Sequence, residues 1–546
     1  MGAFVNGNAT YREATEVKPA RPETNWVRYG SLAALLLVIV FFAFVRVRLR
    51  NLPLERDEGE FAYVGQLMLH GIPPYKIACN MKLPGTYAAY AAMMEVFGET
   101  ASGIRIGLML VNVAATVLIF LLAKYLYGSV AGAIAGITYS FLSCRPAVLG
   151  VYGHATHFVV LAALAGILLL LHAIDTGRTG LFFGSGLCFG LAFLMKQPGI
   201  LYAVFAGCYW LSREWRQPLP WRRLAVRGGA LFAGLVLPFG LTCLMLYRAG
   251  VFPSFWFWTW SYAREYGTIT SLAEAWPRLR ASVPWVVRPL VIWEIVAVGL
   301  TAPLWSRYAR ARGGFVASFF LFSCLAVCPG LYFRPHYFIL VLPAAALCTG
   351  IGVCAVRQGL LEKRFGILVV WLPVIYFAAG FGISARTQYR RYFQLDPVSL
   401  SRRIFDGEAF PEAVVAGSYL KAHSSEQDTI GILGSEPEIC FYSARHCASS
   451  YLYVYPLMEK QKFAQQMKTD MMRQIQDARP RFLVWVDDAH SWGTKATMEE
   501  NRGFVEESWK YAHLNYELVD QVAIAGDAEP WWGNRAYLYV FRRIGP

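Results

Sequence analysis

The 546-residue sequence lacks the short motifs that mark most nucleotide, redox and metal sites. It contains no G-x-G-x-x-G and no P-loop, and the two glycines after one predicted strand, Gly431 and Gly434, are too weak a signal for a nucleotide site. It contains no C-x-x-C pair and no His/Cys cluster at metal-ligand spacing. It also shows no internal repeat of the kind that many transporters carry. We therefore expect no metal, no cofactor and no nucleic-acid partner.

Charged residues are scarce as well. They make up 16% of the chain against 56% hydrophobic residues, and the mean hydropathy of +0.38 excludes an ordinary soluble protein. An apolar run needs about 20 residues to cross a bilayer core as a helix. Eleven runs are candidates for such spans: 30–45, 104–126, 129–144, 155–174, 179–195, 198–211, 229–247, 289–305, 314–332, 337–354 and 366–383.

The charges between these runs indicate an orientation. Five consecutive loops on one side each carry Lys or Arg, one in each of the first two and three to five in the others, and these are opposed only by Asp175, Glu214 and Glu362. Because positive loops stay in the cytoplasm, these features predict a cytoplasmic N-terminus and an extracytoplasmic C-terminus. Arg46, Arg48 and Arg50 fall on the outer side and break the pattern, so we expect them to contact lipid phosphate.

The composition divides the chain into four parts. Residues 1–28 are polar and predicted to be a disordered cytoplasmic segment, and 29–384 form an all-α polytopic membrane domain whose first outer loop spans 46–103. Residues 385–410 form a charged connector. Residues 411–546 alternate strand and helix patterns and predict a soluble extracytoplasmic α/β domain. The helices are expected at Glu412–His423, Met458–Ala478 and Glu499–His513, and the strands at Asp428–Leu433, Phe482–Val486, Tyr516–Ile524 and Ala536–Phe541.

The first outer loop is the most informative stretch. Four charged residues lie within the five positions 56–60, and apolar residues then recur at helical spacing, as they do again after Pro84. The pattern predicts two short helices on the membrane surface, joined by a turn at Gly71–Pro74. A plain solvated loop is the alternative. However, acidic residues at a membrane boundary are costly unless they are paired or used, which favours an active site.

Further cations are predicted at the outer ends of spans. Lys196 ends one run, Arg145 follows another, and Arg334 and His336 open a third. Each alone is typical of an anchor that reaches the interface. Together with the cations of the first loop they would suit an anionic lipid, because cations could hold its phosphate while a carboxylate takes a proton.

Three further features of the sequence each allow two interpretations. His154 and His157 could share a helix face, and a polar patch is favoured there over a metal site. Cys440 and Cys447 lie on the outer side, where a disulfide can form, and the sequence leaves that pairing open. The aromatic run Phe252–Tyr266 is favoured as an interfacial belt over a wall that stacks on sugar rings.

Several of these segments resemble a known family. Asp57-Glu58, Gly71-x-x-Pro74-Tyr75 and Lys82-x-Pro84-Gly85-x-Tyr87 look like the first outer loop of glycosyltransferase family 39 in the polytopic GT-C class. That family includes relatives of the protein O-mannosyltransferases and the lipid A aminoarabinose transferases. Shorter similarities continue through the spans and into the C-terminal domain, so the resemblance covers most of the chain. They lie at Gly103-Ile-Arg105, Phe193–Pro198, His336-Tyr337, Gly434-Ser-Glu-Pro-Glu438 and Ser449-Ser-Tyr451.

The resemblance implies transfer of a sugar from a polyprenyl-phosphate donor to a lipid, glycan or protein acceptor at the outer face of the cell (inner) membrane. Asp57 matches the acid taken as the base, and Lys82 matches the lysine that contacts donor phosphate. Leu83 departs from the Lys-Pro-Pro of the aminoarabinose transferases, and no β-trefoil insertion is present. Our catalytic candidates are Asp57 and Glu58; our substrate-binding candidates are Arg56, Tyr75, Lys82, Arg145, Lys196, Arg334 and His336.

The implied chemistry is one displacement with inversion, in which cations stabilise the leaving phosphate and Asp57 accepts the acceptor proton. Glu58 is expected to pair with a cation or to support a helix N-terminus instead. Two alternatives stay open, a polysaccharide polymerase or ligase that uses lipid-linked sugars, and a lipid-linked sugar flippase or other transporter. Closure of the 248–288 loop and the first loop over one cavity containing Asp57 would favour the transferase.

Overall fold

A computed structural model of the chain describes residues 24–216, 220–288 and 290–545. Most of the predicted disordered segment 1–28 lies outside these residues, and its last four belong to the first helix. The helices up to the C-terminal connector are α1 (Asn25–Arg48), α2 (Arg56–Leu69), α3 (Pro84–Phe97), α4 (Ala101–Tyr127), α5 (Ser129–Leu142), α6 (Ala155–Thr176), α7 (Thr179–Met195), α8 (Ile200–Arg216), α9 (Trp221–Arg248), α10 (Phe252–Trp256), α11 (Ala263–Ile269), α12 (Leu272–Val286), α13 (Leu290–Trp305), α14 (Arg307–Arg310), α15 (Gly313–Leu325), α16 (Leu342–Glu362) and α17 (Ile367–Thr387). Short 3₁₀ or π segments lie between them at Pro146–Val148, Gln197–Gly199, Phe257–Tyr262 and Pro335–Leu340.

Among the described residues, six helices are long and apolar enough to cross a membrane: α1, α4, α6, α9, α16 and α17. The pair α12 and α13, bent by 105° at its break, would make a seventh. Three further helices, α5, α7 and α15, are apolar but shorter. The chain is thus a multi-pass membrane protein, while the count of eleven spans stays a prediction.

The first loop forms the two predicted helices, α2 and α3, and Gly71 between them has a φ of 78° that suits the tight turn. Their position differs from the prediction. Phe61 and Val64 of α2 are 2% and 1% exposed, and Tyr90 of α3 is fully buried. The helix α2 therefore lies inside the protein rather than on a membrane surface, because the C-terminal domain covers it.

That domain combines helices with a five-stranded sheet. The helix α18 (Pro397–Ile404) lies in the connector, and the elements of the domain are α19 (Phe410–His423), β1 (Thr429–Leu433), α20 (Glu438–Ser443), β2 (His446–Cys447), α21 (Tyr455–Met458), α22 (Ala464–Ala478), β3 (Phe482–Val486), α23 (Ala489–Trp492), α24 (Lys495–Glu500), α25 (Arg502–Asn515), β4 (Tyr516–Ala523) and β5 (Tyr537–Arg543). The strand order is β2-β1-β3-β5-β4, with β1 parallel to β2 and β3, and β5 antiparallel to β3 and β4. The sequence patterns for four strands are thereby confirmed, and the two-residue β2 was missed.

One predicted helix is broken. Within the predicted helix Met458–Ala478, α21 ends at Met458 and α22 starts only at Ala464. Cys440 and Cys447 form a disulfide that ties α20 to β2. This settles the pairing that the sequence left open.

The C-terminal domain is joined to the first loop by backbone groups. The Leu54 amide donates to the Tyr442 hydroxyl at 2.8 Å, and the Cys447 amide donates to the Tyr63 hydroxyl at 2.8 Å. The Cys79 amide donates to the Ser450 carbonyl at 2.9 Å, as part of an isolated parallel bridge. The domain is therefore seated directly on α2 and the turn that follows it.

The arginines at the end of α1 do not behave as predicted. Buried Arg46 donates to the carbonyls of Ser143 (2.7 Å) and Gly150 (3.0 Å), and Arg48 donates to those of Phe393 (2.8 Å) and Leu395 (3.2 Å). We expected both to contact lipid phosphate, but their donors are used by the protein backbone. These bonds gather the α5–α6 connection and the segment after α17 at the end of the bundle that carries the first loop.

Candidate active site

The N-terminus of α2 aims its acidic side chains in different directions. Glu55 caps the helix, accepting from the amides of Asp57 and Glu58 at 3.0 Å each. Successive residues on a helix point about 100° apart, whereas residues three apart lie on one side. Asp57 and Glu60 therefore face the same way, and Glu58 faces elsewhere.

Lys82 forms ion pairs with Asp57 and Glu60, the two carboxylates on the same side of α2. Its ammonium group lies 2.6 Å from Asp57 Oδ1 and 2.7 Å from Glu60 Oε2. Glu60 is fully buried and is held by Asn80, which donates at 2.9 Å, and by the Tyr87 hydroxyl on its other oxygen. Burial of Asp57 would raise its pKa, but Lys82 together with His336, His154 and Arg334 outweighs that effect and holds the pKa well below its usual range. Asp57 is thus ionised at neutral pH.

Asp57 and Lys82 open onto a cavity of about 570 Å³. The first loop forms one wall, and the segments 195–198, 259–267 and 326–340 form the others. Five predicted site residues line it together: Asp57, Lys82, Lys196, Arg334 and His336. The loop 248–288 and the first loop close over this one cavity, which is the arrangement that the sequence analysis set as favouring a transferase.

Three cations of the cavity are free of acidic partners. Lys196, Arg264 and Arg334 line it, and no carboxylate among the described residues lies within ion-pairing distance of them. The Lys196 ammonium lies 3.9 Å from the centre of the Tyr337 ring. Burial, together with the like charges of its neighbours, lowers the pKa of Lys196 to about 7. Lys82 would have to leave its carboxylate partners to bind an anion, whereas Arg264 and Arg334 would not, and a bound anion would favour the protonated form of Lys196.

Two histidines stand beside Asp57. His154 and His336 stack with ring centres 4.0 Å apart and 10° between their planes, and His154 Nδ1 lies 3.9 Å from Asp57 Oδ2. Burial lowers the pKa of His154 to about 3, and neither of its nitrogens has a hydrogen-bond partner in the described part of the chain. His157, its predicted companion, is buried inside α6.

Asp57, His154 and His336 are the group in the described part of the chain that could hold a metal ion, with ligand atoms within 4.8 Å of one another. The lone pairs of imidazole nitrogens lie in the plane of the ring. The lone pairs of two stacked rings therefore lie in parallel planes and do not converge on one metal ion. Asp57 and one imidazole could share a cation as they stand, and the second ring would have to turn.

Comparison with known proteins agrees with the fold. Residues 82–241 match the family described as dolichyl-phosphate-mannose-protein mannosyltransferase. The undecaprenyl phosphate-α-4-amino-4-deoxy-L-arabinose arabinosyl transferase of Pseudomonas aeruginosa is 29% identical over 272 residues. That alignment spans 46% of this chain and 48% of the relative, about half of each.

The structural similarity extends further. ArnT from Cupriavidus metallidurans bound to undecaprenyl phosphate superposes with a TM-score of 0.56 and 16% identity, covering 94% of this chain and 98% of that one. The chain thus resembles the family-39 glycosyltransferases of the GT-C class in sequence over part of its length, and the similarity in fold extends further. The archaeal oligosaccharyltransferase AglB from Archaeoglobus fulgidus, in complex with an inhibitory peptide and a dolichol-phosphate, has a TM-score of 0.50 at 12% identity, covering 93% of this chain and 74% of AglB. At these identities the two structures show a shared GT-C fold.

Two predicted residues of this GT-C chain serve its packing. Glu58 is fully buried, forms a two-point ion pair with Arg105 and accepts from the Gly153 amide. Arg56 points into the C-terminal domain, 2.7 Å from Glu408 and 3.3 Å from Glu436. Glu58 thus pairs with a cation, as expected, and Arg56 does not line the cavity.

Two others lie off the cavity. The Tyr75 hydroxyl donates to the Lys82 carbonyl at 2.6 Å, so Tyr75 fixes the backbone of the lysine loop. Arg145 lines a second cavity, on the other side of the segment that carries Arg334 and His336.

The structure adds residues that the sequence analysis did not assign. The hydroxyl of Tyr453 accepts from Lys82 at 3.2 Å and donates to the Arg56 carbonyl at 3.1 Å, and Tyr455 lines the cavity. Nothing local in the sequence connects these tyrosines with a loop nearly 400 residues earlier. Glu60 could have been found, since its spacing of three from Asp57 places both on one helix side.

The aromatic run Phe252–Tyr266 lies partly in the cavity wall and partly at the surface. Trp260 and Tyr266 line the cavity, whereas Trp256, on the same segment, is 43% exposed and does not. Part of the run therefore belongs to the cavity wall.

Proposed function

We propose that this chain transfers a sugar from a polyprenyl-phosphate-linked donor to an acceptor hydroxyl at the extracytoplasmic face of the membrane, with inversion at the anomeric carbon. One observation carries the proposal. A single cavity beside the first loop combines the ionised carboxylate of Asp57 with the unpaired cations Lys196, Arg264 and Arg334.

The cations suit the leaving group. As the bond between the anomeric carbon and the phosphate oxygen breaks, the electron pair stays on that oxygen and the polyprenyl phosphate gains a negative charge. Lys196 and Arg334 would stabilise this developing charge more strongly than the charge of the intact donor. Such differential binding accelerates the reaction rather than merely holding the donor.

The acceptor supplies the second half of the step. Its oxygen forms a bond to the anomeric carbon from the face opposite the phosphate, and its proton passes to Asp57. An aspartate with a depressed pKa is a weak base, but Lys82 couples the two events. The growing phosphate charge draws the ammonium away from Asp57, whose basicity then rises as the proton arrives.

The decisive experiment offers the purified protein a panel of labelled polyprenyl-phosphate sugars and acceptors, and follows which donor is consumed. We expect Asp57→Asn to lower turnover by about 10²–10⁴-fold, the usual range for loss of a general base, with unchanged thermal unfolding. Glu95→Gln is the matched control, because Glu95 is an exposed acid at the end of the same loop. Full activity of Asp57→Asn would sink the assignment of the base.

Glu58→Gln separates packing from chemistry. It leaves Arg105 buried without its partner, a change that typically costs about 3–5 kcal/mol. We therefore expect a lower unfolding temperature with turnover retained by the molecules that fold. An inactive but fully stable Glu58→Gln protein, beside an active Asp57→Asn protein, would exchange the two roles.

The same assay tests the two alternatives. A transporter would move the labelled donor across a vesicle membrane without consuming it. A polymerase or ligase would transfer chains rather than single sugars, so its products would grow by more than one residue.

A further inference from the structure

A second cavity of about 780 Å³ lies at the same end of the bundle. It is bounded by the α5–α6 connection, the bend between α12 and α13, and the segment that follows α17. Pro335 lines it, whereas the flanking Arg334 and His336 line the candidate active site. The two cavities are therefore back to back across one stretch of chain.

The charge of this cavity is one-sided. Arg145, Arg288, Arg391 and Arg403 line it, and none of its described lining residues is acidic. No carboxylate in the described ranges pairs with any of the four, although a neighbour, Arg402, pairs with Glu412 at 2.8 Å. Like charges gathered without counterions repel one another, so an anion would stabilise the arrangement.

Arg145 is the strongest sign of a missing partner. Its side chain is 4% exposed, and its guanidinium donates to the carbonyls of Val286 (2.9 Å) and Trp285 (3.5 Å). Its buried Nε has no hydrogen-bond partner among the residues that the structure describes. Burial, with Arg391 nearby, lowers the pKa of Arg145 to about 10. A buried cation is normally paired, and the described residues around this one are neutral groups and another cation.

The other walls are apolar. Leu149, Leu290 and Ile404 line the cavity, and Trp285, 65% exposed, stands at its mouth. Exposed tryptophan is characteristic of the membrane interface. Arginine matches phosphate because its planar fork donates two parallel hydrogen bonds. Arginines beside an apolar wall fit a ligand with a phosphate at one end and a hydrocarbon chain at the other.

We propose that this arginine cavity binds the phosphate group of an anionic membrane lipid, separately from the donor site. The phosphate would bridge Arg145 and Arg391 and so link the bundle to the segment that leads into the C-terminal domain. The acyl chains would leave past Trp285 toward the bilayer.

The test measures binding of dihexanoyl phosphatidic acid to the purified full-length protein in detergent, by calorimetry and by thermal unfolding. Dihexanoyl phosphatidylcholine and inorganic phosphate are the comparison ligands. We expect phosphatidic acid to bind at least tenfold more tightly than either and to raise the unfolding temperature. Equal binding of phosphatidylcholine would overturn the proposal, and equal binding of inorganic phosphate would overturn its assignment to a lipid.

Variants locate the binding. Arg391→Gln combined with Arg403→Gln should weaken phosphatidic acid at least tenfold, and both positions are open enough for the fold to survive. Arg390→Gln is the matched control, because Arg390 is exposed, adjacent in the chain and outside the cavity. Lys196→Gln, in the other cavity, should keep the affinity. Loss of affinity in Lys196→Gln with none in the double variant would assign the lipid to the active-site cavity and overturn the proposal.

Discussion

At the scale of single residues, the ammonium group of Lys82 is neutralised by Asp57 and Glu60 before any donor is present. These two carboxylates outweigh the effect of burial and raise the pKa of Lys82. The charge of Lys82 in turn lowers the pKa of Asp57. The lysine therefore acts on both sides of the proposed reaction, on the donor directly and on the base through their ion pair.

We expect Lys82→Ala to weaken donor use more than acceptor use. Loss of one charge-assisted contact corresponds to about 1.5–3 kcal/mol, or about a 10–100-fold rise in donor KM or fall in kcat. The base must be deprotonated to act, and without Lys82 the pKa of Asp57 rises. The acid limb of the kcat/KM profile should therefore move to higher pH.

Steady-state kinetics across pH, with donor and acceptor varied in turn, measure both effects. Lys76→Ala is the control, since Lys76 is an exposed lysine of the same loop. A variant with normal donor kinetics and a defect confined to acceptor binding would contradict the role given to Lys82.

The sequence predicted the right residue types for the site, but not the direction of every side chain. Asp57 and Glu58 are adjacent carboxylates that the sequence does not distinguish. Only the packing of α2 directs Asp57 to the cavity and Glu58 to Arg105. Arg145 resembles Lys196 as a cation at a span end, yet it faces a different cavity. Such choices depend on packing between distant segments, which spacing along a single sequence does not encode.

At the scale of elements, α2 crosses α20 of the C-terminal domain at Gly59. A Cβ atom at this position would lie 2.6 Å from the Glu438 Cβ and 2.7 Å from its backbone nitrogen. Only glycine therefore allows the two helices to approach so closely. This crossing holds the N-terminus of α2, and with it Asp57, against the covering domain.

Gly59→Ala should consequently destabilise the protein by about 1–3 kcal/mol, as overpacking does, and lower turnover by shifting Asp57. Ordinarily glycine to alanine within a helix is favourable by about 0.5–1 kcal/mol. Gly240→Ala in α9 provides that reference, because no atom of the described residues lies within 4 Å of a Cβ there. Thermal unfolding and turnover of both variants test this prediction. Equal stability of Gly59→Ala and Gly240→Ala would contradict the tight crossing.

Element boundaries were predicted best where a pattern is local. The strands of the C-terminal domain follow from runs such as Phe482–Val486, every residue of which is buried. Spans are harder to count, since α5 has only 14 residues and is buried along its whole length. A helix surrounded by protein need not present the long apolar surface that lipid demands, so hydropathy alone undercounts or misplaces it.

At the scale of the whole molecule, the proposal requires the first loop and the C-terminal domain on the extracytoplasmic side. A reporter that is active only outside the cytoplasm, fused after Pro546, should therefore be active, and one fused in the loop near Arg222 should be silent. Activity of a cytoplasm-dependent reporter at the C-terminus would move the candidate site to the opposite face.

The seat of the C-terminal domain on α2 also has a consequence for biosynthesis. The chain leaves the ribosome with the first loop early and Tyr453 late, yet the Tyr453 hydroxyl is bonded to the Arg56 carbonyl and to Lys82. On the predicted topology the membrane helices insert first, and the active-site wall closes only after the last domain has been exported and folded. On the proposed function, a nascent or truncated chain would then be unable to consume lipid-linked sugar, and export of the C-terminal domain would be a checkpoint for activity.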